Sequence, residues 1–206
     1  MIVKVCGITQ EDQYKLLEQQ QVDMVGLNFY PPSKRFVTLP WSKPNQQTST
    51  QRIGVFVNPE MEFLLDMIDQ YNLDLVQLHG NETVDFCKEV DSWIPVIKAF
   101  GIDDTFSFAT LAPYQNFVKY FLLDTKSAFY GGSGLKFSWH KLAEYNYDKP
   151  FLLSGGIRLE DIDDILKLEH KALAGIDVNS GFEISPGVKD LDKINKMLKI
   201  IHNEES

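Results

Sequence analysis

The sequence predicts an α/β fold, a (βα)8 TIM barrel, because eight short apolar segments alternate with amphipathic segments along 206 residues. Each apolar segment is nearly continuous in apolar character, which is typical of parallel strands buried on both faces. Eight strands with eight connections fit a closed barrel better than an open sheet. The predicted strands are Ile2–Cys6, Asp23–Phe29, Ile53–Val57, Leu73–Leu78, Ile94–Ala99, Val118–Asp124, Phe151–Ser154 and Ala174–Val178.

Most connections between these strands carry apolar residues at helical spacing. The predicted helices are Glu60–Tyr71, Thr83–Val90, Leu159–Leu168 and Asp190–Ile201. One connection differs, because Ser42–Arg52 is polar and has no apolar face. We therefore expect the second helix of the barrel to be shortened or missing. Neither a linker nor a shift in composition divides the chain, so residues 1–206 are expected to form one domain.

The composition restricts the partners of the chain. A net charge of −9 repels phosphates, so neither nucleic acid nor an anionic membrane surface is an expected partner. No apolar run approaches the roughly 20 residues that span a bilayer, and the N-terminus lacks the pattern of a signal peptide. We expect a cytoplasmic protein. It could bind an anionic substrate only in a local positive pocket.

The first predicted strand ends in a cysteine, at the end of the barrel where active sites are built. Lys4 lies two residues before Cys6 on the same strand face, where its charge would favour the reactive thiolate. The alternative interpretation of Cys6 is a small buried hydrophobe. Cys87 falls on the apolar face of a predicted helix and is expected to be structural. Two cysteines in a chain of this length do not predict a disulfide framework.

The sixth predicted strand ends in Asp124. A carboxylate at the end of an apolar strand is costly unless it is solvated or paired. Asp124 could cap the following loop, or partial burial could keep it protonated so that it donates a proton.

Glycine-containing loops follow the last three strands, at Gly131–Gly134, Ser154–Gly156 and Ser180–Gly181. Barrels commonly hold phosphate there, on backbone N–H groups and at a short extra helix. The spacing of Ser180 and Glu183 predicts the capping box of that helix. These loops would supply the local positive pocket.

Two further loops carry candidate binding residues. Arg35 follows a proline-stiffened turn after the second strand, where it is either an exposed base or a bidentate clamp for a carboxylate. Gln77 and His79 share a face of the fourth strand and could point into the barrel mouth. A structural role is the alternative for His79.

Taken together and in order, these segments resemble the phosphoribosylanthranilate isomerase family of tryptophan biosynthesis over nearly the whole chain. The matching segments are Val3–Thr9, Pro32–Val37, Gly54–Asn58, Val76–Gly80, Leu123–Asp124, Gly131–Gly134, Ser154–Ile157, Asp177–Glu183 and Pro186–Asp190. The chain departs from the family pattern at Lys34, which is inserted before the arginine. It also departs at Ser138, where aspartate is usual, and at Ser154, where alanine is usual.

The resemblance implies a role for each matching residue. Cys6 would be the general base and Asp124 the general acid, while Arg35 would bind the anthranilate carboxylate. The substrate pocket would be lined by Gln77, His79 and Asp177. The phosphate would be held by Gly132, Gly155, Gly156, Ser180 and Gly181.

The implied reaction is an Amadori rearrangement of N-(5-phosphoribosyl)anthranilate to 1-(2-carboxyphenylamino)-1-deoxyribulose 5-phosphate. It needs neither a metal nor an organic cofactor, and the expected partner is the substrate alone, bound by a monomer. Two rivals are barrels of the same kind: the histidine-pathway isomerase and indoleglycerol-phosphate synthase. A third alternative is a barrel that binds phosphate without catalysis.

Overall fold

The computed structural model describes residues 1–38, 41, 49–126 and 137–203. Eight parallel strands hydrogen-bond in chain order, and β1 also pairs with β8, so the sheet closes into a barrel. The strands are β1 (Ile2–Cys6), β2 (Met24–Asn28), β3 (Gln51–Phe56), β4 (Leu75–Leu78), β5 (Val96–Ile102), β6 (Tyr120–Thr125), β7 (Phe151–Leu153) and β8 (Leu173–Val178). The predicted barrel and all eight predicted strands are confirmed.

Strand ends differ from the prediction where ladder pairing outweighs side-chain polarity. β3 begins at polar Gln51 because that residue pairs with Met24 of β2. β5 continues beyond Ala99 because Gly101 and Ile102 pair with the end of β6. An apolar run alone does not reveal such extensions, since backbone hydrogen bonds do not depend on side-chain polarity.

The α-helices are α1 (Glu11–Gln19), α2 (Met61–Tyr71), α3 (Val84–Asp91), α4 (Ile162–Leu166) and α5 (Leu191–His202). All four predicted helices are present, although the predicted Leu159–Leu168 begins with a 3-10 turn, Leu159–Asp161, and only its second part is α-helical. Further 3-10 segments are Phe108–Phe117, Trp139–Glu144 and Ser180–Phe182. A two-stranded hairpin follows β8, formed by β9 (Glu183–Ser185) and β10 (Val188–Lys189).

Several connections are thinner than a regular barrel helix. No helix occurs between β2 and β3 among the described residues; most of the polar segment Ser42–Arg52, for which a shortened or missing helix is predicted, lies outside them. The 3-10 segment after β5 contains Pro113, which cannot donate the backbone hydrogen bond of a continuous α-helix. Across the described part of the chain, no helix is long and apolar enough to cross a membrane.

The core has two layers separated by the barrel wall. Outward side chains pack under the helices in a large cluster that includes Val3, Val5 and Leu27. Inward side chains form a smaller apolar plug inside the barrel: Met24, Ile53, Leu75, Ile97, Ala99, Leu122 and Leu152. Because side chains alternate along each strand, inward positions nearer the carboxyl ends carry the polar groups.

A buried ion pair fastens the loop after β4. The Lys98 ammonium lies 3.0 Å from the Glu82 carboxylate, and only 2% of either side chain is exposed. Lys98 also donates to the carbonyls of Leu78 and Gly80, while Glu82 accepts from the backbone N–H of Asn58. The pair therefore holds the loop that carries His79.

Removing one partner of this pair should destabilise the fold strongly, because the other charge is left buried. We expect Lys98→Met to lower the free energy of unfolding by about 3–5 kcal/mol in urea titrations. The control is Lys167→Met, which breaks an exposed pair with Asp164 and should cost less than about 1 kcal/mol. Equal losses in the two variants would contradict a structural role for the buried pair.

Candidate active site

A cavity opens at the carboxyl ends of the strands. Nine of the sequence-predicted site residues line it: Cys6, Gln77, His79, Asp124, Gly155, Gly156, Asp177, Ser180 and Gly181. Arg35 lies beside the cavity without lining it, and Gly132 lies outside the described residues. The sequence reasoning missed Asn28, Tyr30 and Asn179, which also line the cavity. Asn28 closes β2, and Asn179 lies two residues beyond the inward-facing Asp177. Strand alternation could therefore have identified both residues.

Cys6 lies above three buried, hydrogen-bonded polar side chains inside the barrel. The Lys4 ammonium donates to one oxygen of Asp177 at 2.7 Å, and the Ser154 hydroxyl donates to the other at 3.1 Å. Gly26 on the neighbouring strand makes room for this arrangement, because a Cβ there would lie 2.7 Å from the Cys6 sulfur. Lys4 itself is fully buried.

Burial and charge act in opposite directions on the Cys6 thiol. Burial raises the pKa of Cys6, and the positive charge of Lys4 lowers it only in part, so the pKa stays above its ordinary value of 9.0. Lys4 thus favours the thiolate, as the sequence predicts, but desolvation of the thiolate outweighs this attraction in the resting site. Burial also raises the pKa of Cys87, to about 12, as befits a structural thiol on α3.

Asp124 is the end of a hydrogen-bonded series of side chains. The Gln77 amide lies 2.7 Å from Nδ1 of His79, and Nε2 of His79 lies 3.3 Å from the Asp124 carboxylate. About one fifth of each of the last two side chains is exposed, 20% for His79 and 19% for Asp124. One proton can be shared between the imidazole and the carboxyl group, and the tautomer of His79 decides which of them donates.

The glycines after β7 bring backbone close to Asp124. Gly155 and Gly156 have φ angles of 93° and 64°, in the region that favours glycine. A Cβ on Gly155 would collide with Thr125 and lie 2.8 Å from an Asp124 oxygen. Gly181 packs equally closely, against the carbonyl of Ile157. These loops present main-chain groups to one side of the cavity.

The predicted capping box of Ser180 and Glu183 is wrong. Ser180 is the first residue of the short 3-10 segment, and that segment has no side-chain cap. Glu183 is instead held by Arg35 and by Lys189, whose opposite charges attract its carboxylate more strongly than a backbone N–H would.

Arg35 is held by a bidentate ion pair within the chain. Its Nε and Nη2 donate to the two oxygens of Glu183 at 2.8 and 2.6 Å. Buried Lys189 donates to the same carboxylate at 2.7 Å and to Asn179 at 2.7 Å. Although burial raises the pKa of Glu183, the hydrogen bonds from Arg35 and Lys189 bring it below its ordinary value. The cluster carries two cations and one anion, so a net positive charge lies beside the cavity.

Gly7 allows the Arg35 side chain to lie over the end of β1. Its φ is 76°, and a Cβ there would lie 2.5 Å from Cδ of Arg35 and 2.8 Å from Oδ1 of Asn179. The glycine therefore fixes the position of the guanidinium.

Among the described residues, no group of three or more His, Cys, Asp or Glu side chains could hold a metal ion.

The closed parallel barrel, with a cavity at the carboxyl ends of its strands, defines a TIM-barrel enzyme, since the active sites of that class lie at this end. The chain belongs to the N-(5'-phosphoribosyl)anthranilate isomerase family, because the model of that family matches residues 3–200.

Relatives of known sequence and structure agree. An N-(5'-phosphoribosyl)anthranilate isomerase of Parabacteroides distasonis is 41% identical over 208 residues, with 98% of this chain and 94% of the relative covered. The phosphoribosyl anthranilate isomerase of Thermotoga maritima superimposes with a TM-score of 0.83 at 35% identity, over 98% of this chain and 100% of the other. A phosphoribosyl anthranilate isomerase in complex with reduced 1-(o-carboxyphenylamino)-1-deoxyribulose 5-phosphate has a TM-score of 0.80 at 32% identity, with 98% and 100% covered.

Substitution of Gly7 should strain the site and the fold. We expect Gly7→Ala to lower the free energy of unfolding by about 1–3 kcal/mol, because alanine is strained at this φ and its methyl group must displace Arg35. Urea titration measures the loss. Gly101→Ala is the control, since a Cβ there meets nothing closer than 3.4 Å and should cost less than about 0.5 kcal/mol. Equal stability of the two variants would contradict the constraint at Gly7.

Proposed function

We propose that this chain converts N-(5-phosphoribosyl)anthranilate to 1-(2-carboxyphenylamino)-1-deoxyribulose 5-phosphate in tryptophan biosynthesis. The observation that carries the proposal is the presence of a thiol on β1 and a carboxyl group on β6 at one cavity. The two strands are separated by β7 and β8 around the barrel, so Cys6 and Asp124 approach a ligand from different sides. Membership of the family supports the reaction.

The first step of the proposed mechanism is ring opening. Asp124 donates a proton to the ring oxygen of the ribose, the bond between that oxygen and C1′ breaks, and the anthranilate nitrogen forms a Schiff base with C1′. The hydrogen bond between His79 and Asp124 supports this role, because the imidazole can return a proton to the carboxyl group.

The second step is proton removal from carbon. The thiolate of Cys6 takes the proton from C2′, which gives an enolamine. Tautomerisation then places a proton on C1′ and removes one from the C2′ hydroxyl, so C1′ is reduced and C2′ is oxidised. No electrons leave the substrate, and acid and base side chains suffice for the step.

The remaining residues serve binding in this proposal. The glycine loops around Gly155, Gly156 and Gly181, with Ser180, hold the phosphate, and Gly132 is proposed to join them. Arg158 and Lys193 line an adjoining cleft together with Glu160 and Glu183, so the charges of that cleft balance. Gln77 positions His79. Asp177 lines the cavity, where one of its oxygens accepts a hydrogen bond from Lys4 and the other from Ser154.

Arg35 is proposed to bind the anthranilate carboxylate. Its Nε and Nη2 edge is occupied by Glu183, which leaves Nη1 and the second hydrogen of Nη2 for a ligand. A second carboxylate can share the guanidinium because Lys189 also neutralises Glu183.

A single domain, a monomeric state and a cytoplasmic location stay predictions. One related structure is of monomers generated from the dimeric Thermotoga maritima enzyme.

Loss of either proposed proton-transfer group should remove most of the activity. We expect Cys6→Ala and Asp124→Asn each to lower kcat by at least about a hundredfold, in folded proteins. Turnover is measured by the loss of anthranilate fluorescence, and folding by circular dichroism. Cys87→Ala is the matched control and should stay within about twofold of the wild type. Near-normal kcat in either of the first two variants would remove that residue from the mechanism.

The pH profile should report on the raised pKa of Cys6. The reactive form holds one proton on the pair of Cys6 and the acid, so it is lost above the pH at which the Cys6 thiol gives up its proton. The fall of kcat/KM on the alkaline side begins only when Cys6 titrates. We therefore expect kcat/KM to stay level through neutral pH and to fall only above about pH 9, the ordinary thiol value. A fall that begins near pH 7 would contradict this assignment.

A further inference from the structure

Lys4 is a buried cation that the proposed mechanism does not use. Its ammonium is fully buried and donates to Asp177 at 2.7 Å across the seam between β1 and β8. A buried ion pair contributes little net stability, and apolar residues of similar size often replace one without loss. Stability alone therefore does not explain a lysine at this place.

Geometry puts the ammonium next to the sulfur of Cys6. Both side chains point into the barrel from β1, and both lie against Gly26 of β2. A Cβ on Gly26 would lie 2.7 Å from Sγ of Cys6 and 3.2 Å from Nζ of Lys4, so the two atoms share the space that the missing side chain leaves. The described hydrogen bonds of Lys4 leave donors for the sulfur, because an ammonium has three and Asp177 takes one.

We propose that Lys4 is a positioning residue for Cys6, whose ammonium stabilises the thiolate that must form before the C2′ proton is removed. This inference rests on the proposed role of Cys6 as the base. The thiol proton leaves to water in the cavity, and Lys4 then shares its hydrogen bonds between the sulfur and Asp177. Ser154 already donates to the second oxygen of Asp177, so that carboxylate stays paired as Lys4 turns toward the sulfur.

The electrostatics of the site agree with this geometry. Burial raises the pKa of the Cys6 thiol, the charge of Lys4 opposes that rise, and the charge of Asp177 adds to it less strongly. Removal of Lys4 therefore leaves the thiolate without its compensating charge. Arg35 and Lys189 also face Cys6, but both are paired with Glu183.

The test is the pH dependence of Cys6 alkylation by iodoacetamide, followed by mass spectrometry in a Cys87→Ala background. We expect Lys4→Met to raise the apparent pKa of Cys6 by about one unit or more, and to slow alkylation about tenfold at a fixed pH below it. Lys4→Arg keeps the charge and should restore most of the rate.

Lys167→Met is the control, because it removes an ammonium from an exposed pair with Asp164 and costs little stability. It should leave the alkylation profile of Cys6 unchanged.

A second variant covers the risk that Lys4→Met leaves Asp177 unpaired and unfolds. Lys4→Met combined with Asp177→Asn removes both charges, and we expect it still to raise the apparent pKa of Cys6, by a smaller amount. An unchanged profile in either folded variant would overturn the inference and leave Lys4 a structural residue. The experiment uses no substrate, so full activity of Cys6→Ala would overturn the proposed base without altering the alkylation result.

Discussion

The pairing of Lys4 with Asp177 is the interaction on which the rest of the site depends. The two residues are register partners on β1 and β8, the strands that close the barrel, and their ion pair lies inside the wall. An inward lysine there needs an inward aspartate opposite, because an unpaired buried charge would cost several kcal/mol. Strand register therefore determines where Cys6 stands, one inward position further along β1.

The acid and the base occupy contrasting surroundings. Cys6 is buried near the Lys4 ammonium, which also pairs with Asp177. Asp124, in contrast, is partly exposed and lies beside His79. One group is kept protonated at rest by desolvation, and the other can exchange its proton with an imidazole. Such a division between two environments lets one barrel end supply an acid and a base to the same ligand.

The barrel could be predicted from the sequence because buried parallel strands are short apolar runs and the helices have a regularly spaced apolar face. Cys6, Asp124 and Gln77 could also be predicted, since strand alternation and strand ends place them at the cavity, whereas Asp177 was implied only by the family resemblance. The ion pair of Arg35 with Glu183 was not, because it joins residues 148 apart in the sequence through the packing of two loops. Local spacing of Ser180 and Glu183 instead indicated a capping box that the longer-range charges override.

The direction in which the pKa of Cys6 shifts could not be predicted from the sequence either. A lysine two residues away is visible in the sequence, but the depth of burial and the opposing charge of Asp177 appear only once the strands are closed. Gly26 illustrates the same limit, because its function is to leave space for two side chains of another strand.

The proposed function requires that this cavity isomerises phosphoribosylanthranilate by proton transfer. The most direct measurement is anthranilate fluorescence after purified protein is mixed with freshly made N-(5-phosphoribosyl)anthranilate, with Cys6→Ala beside it. We expect rapid loss of fluorescence with the wild type and none above background with the variant. A folded wild-type protein that leaves the fluorescence unchanged would contradict it, and would leave a barrel that binds phosphate without catalysis.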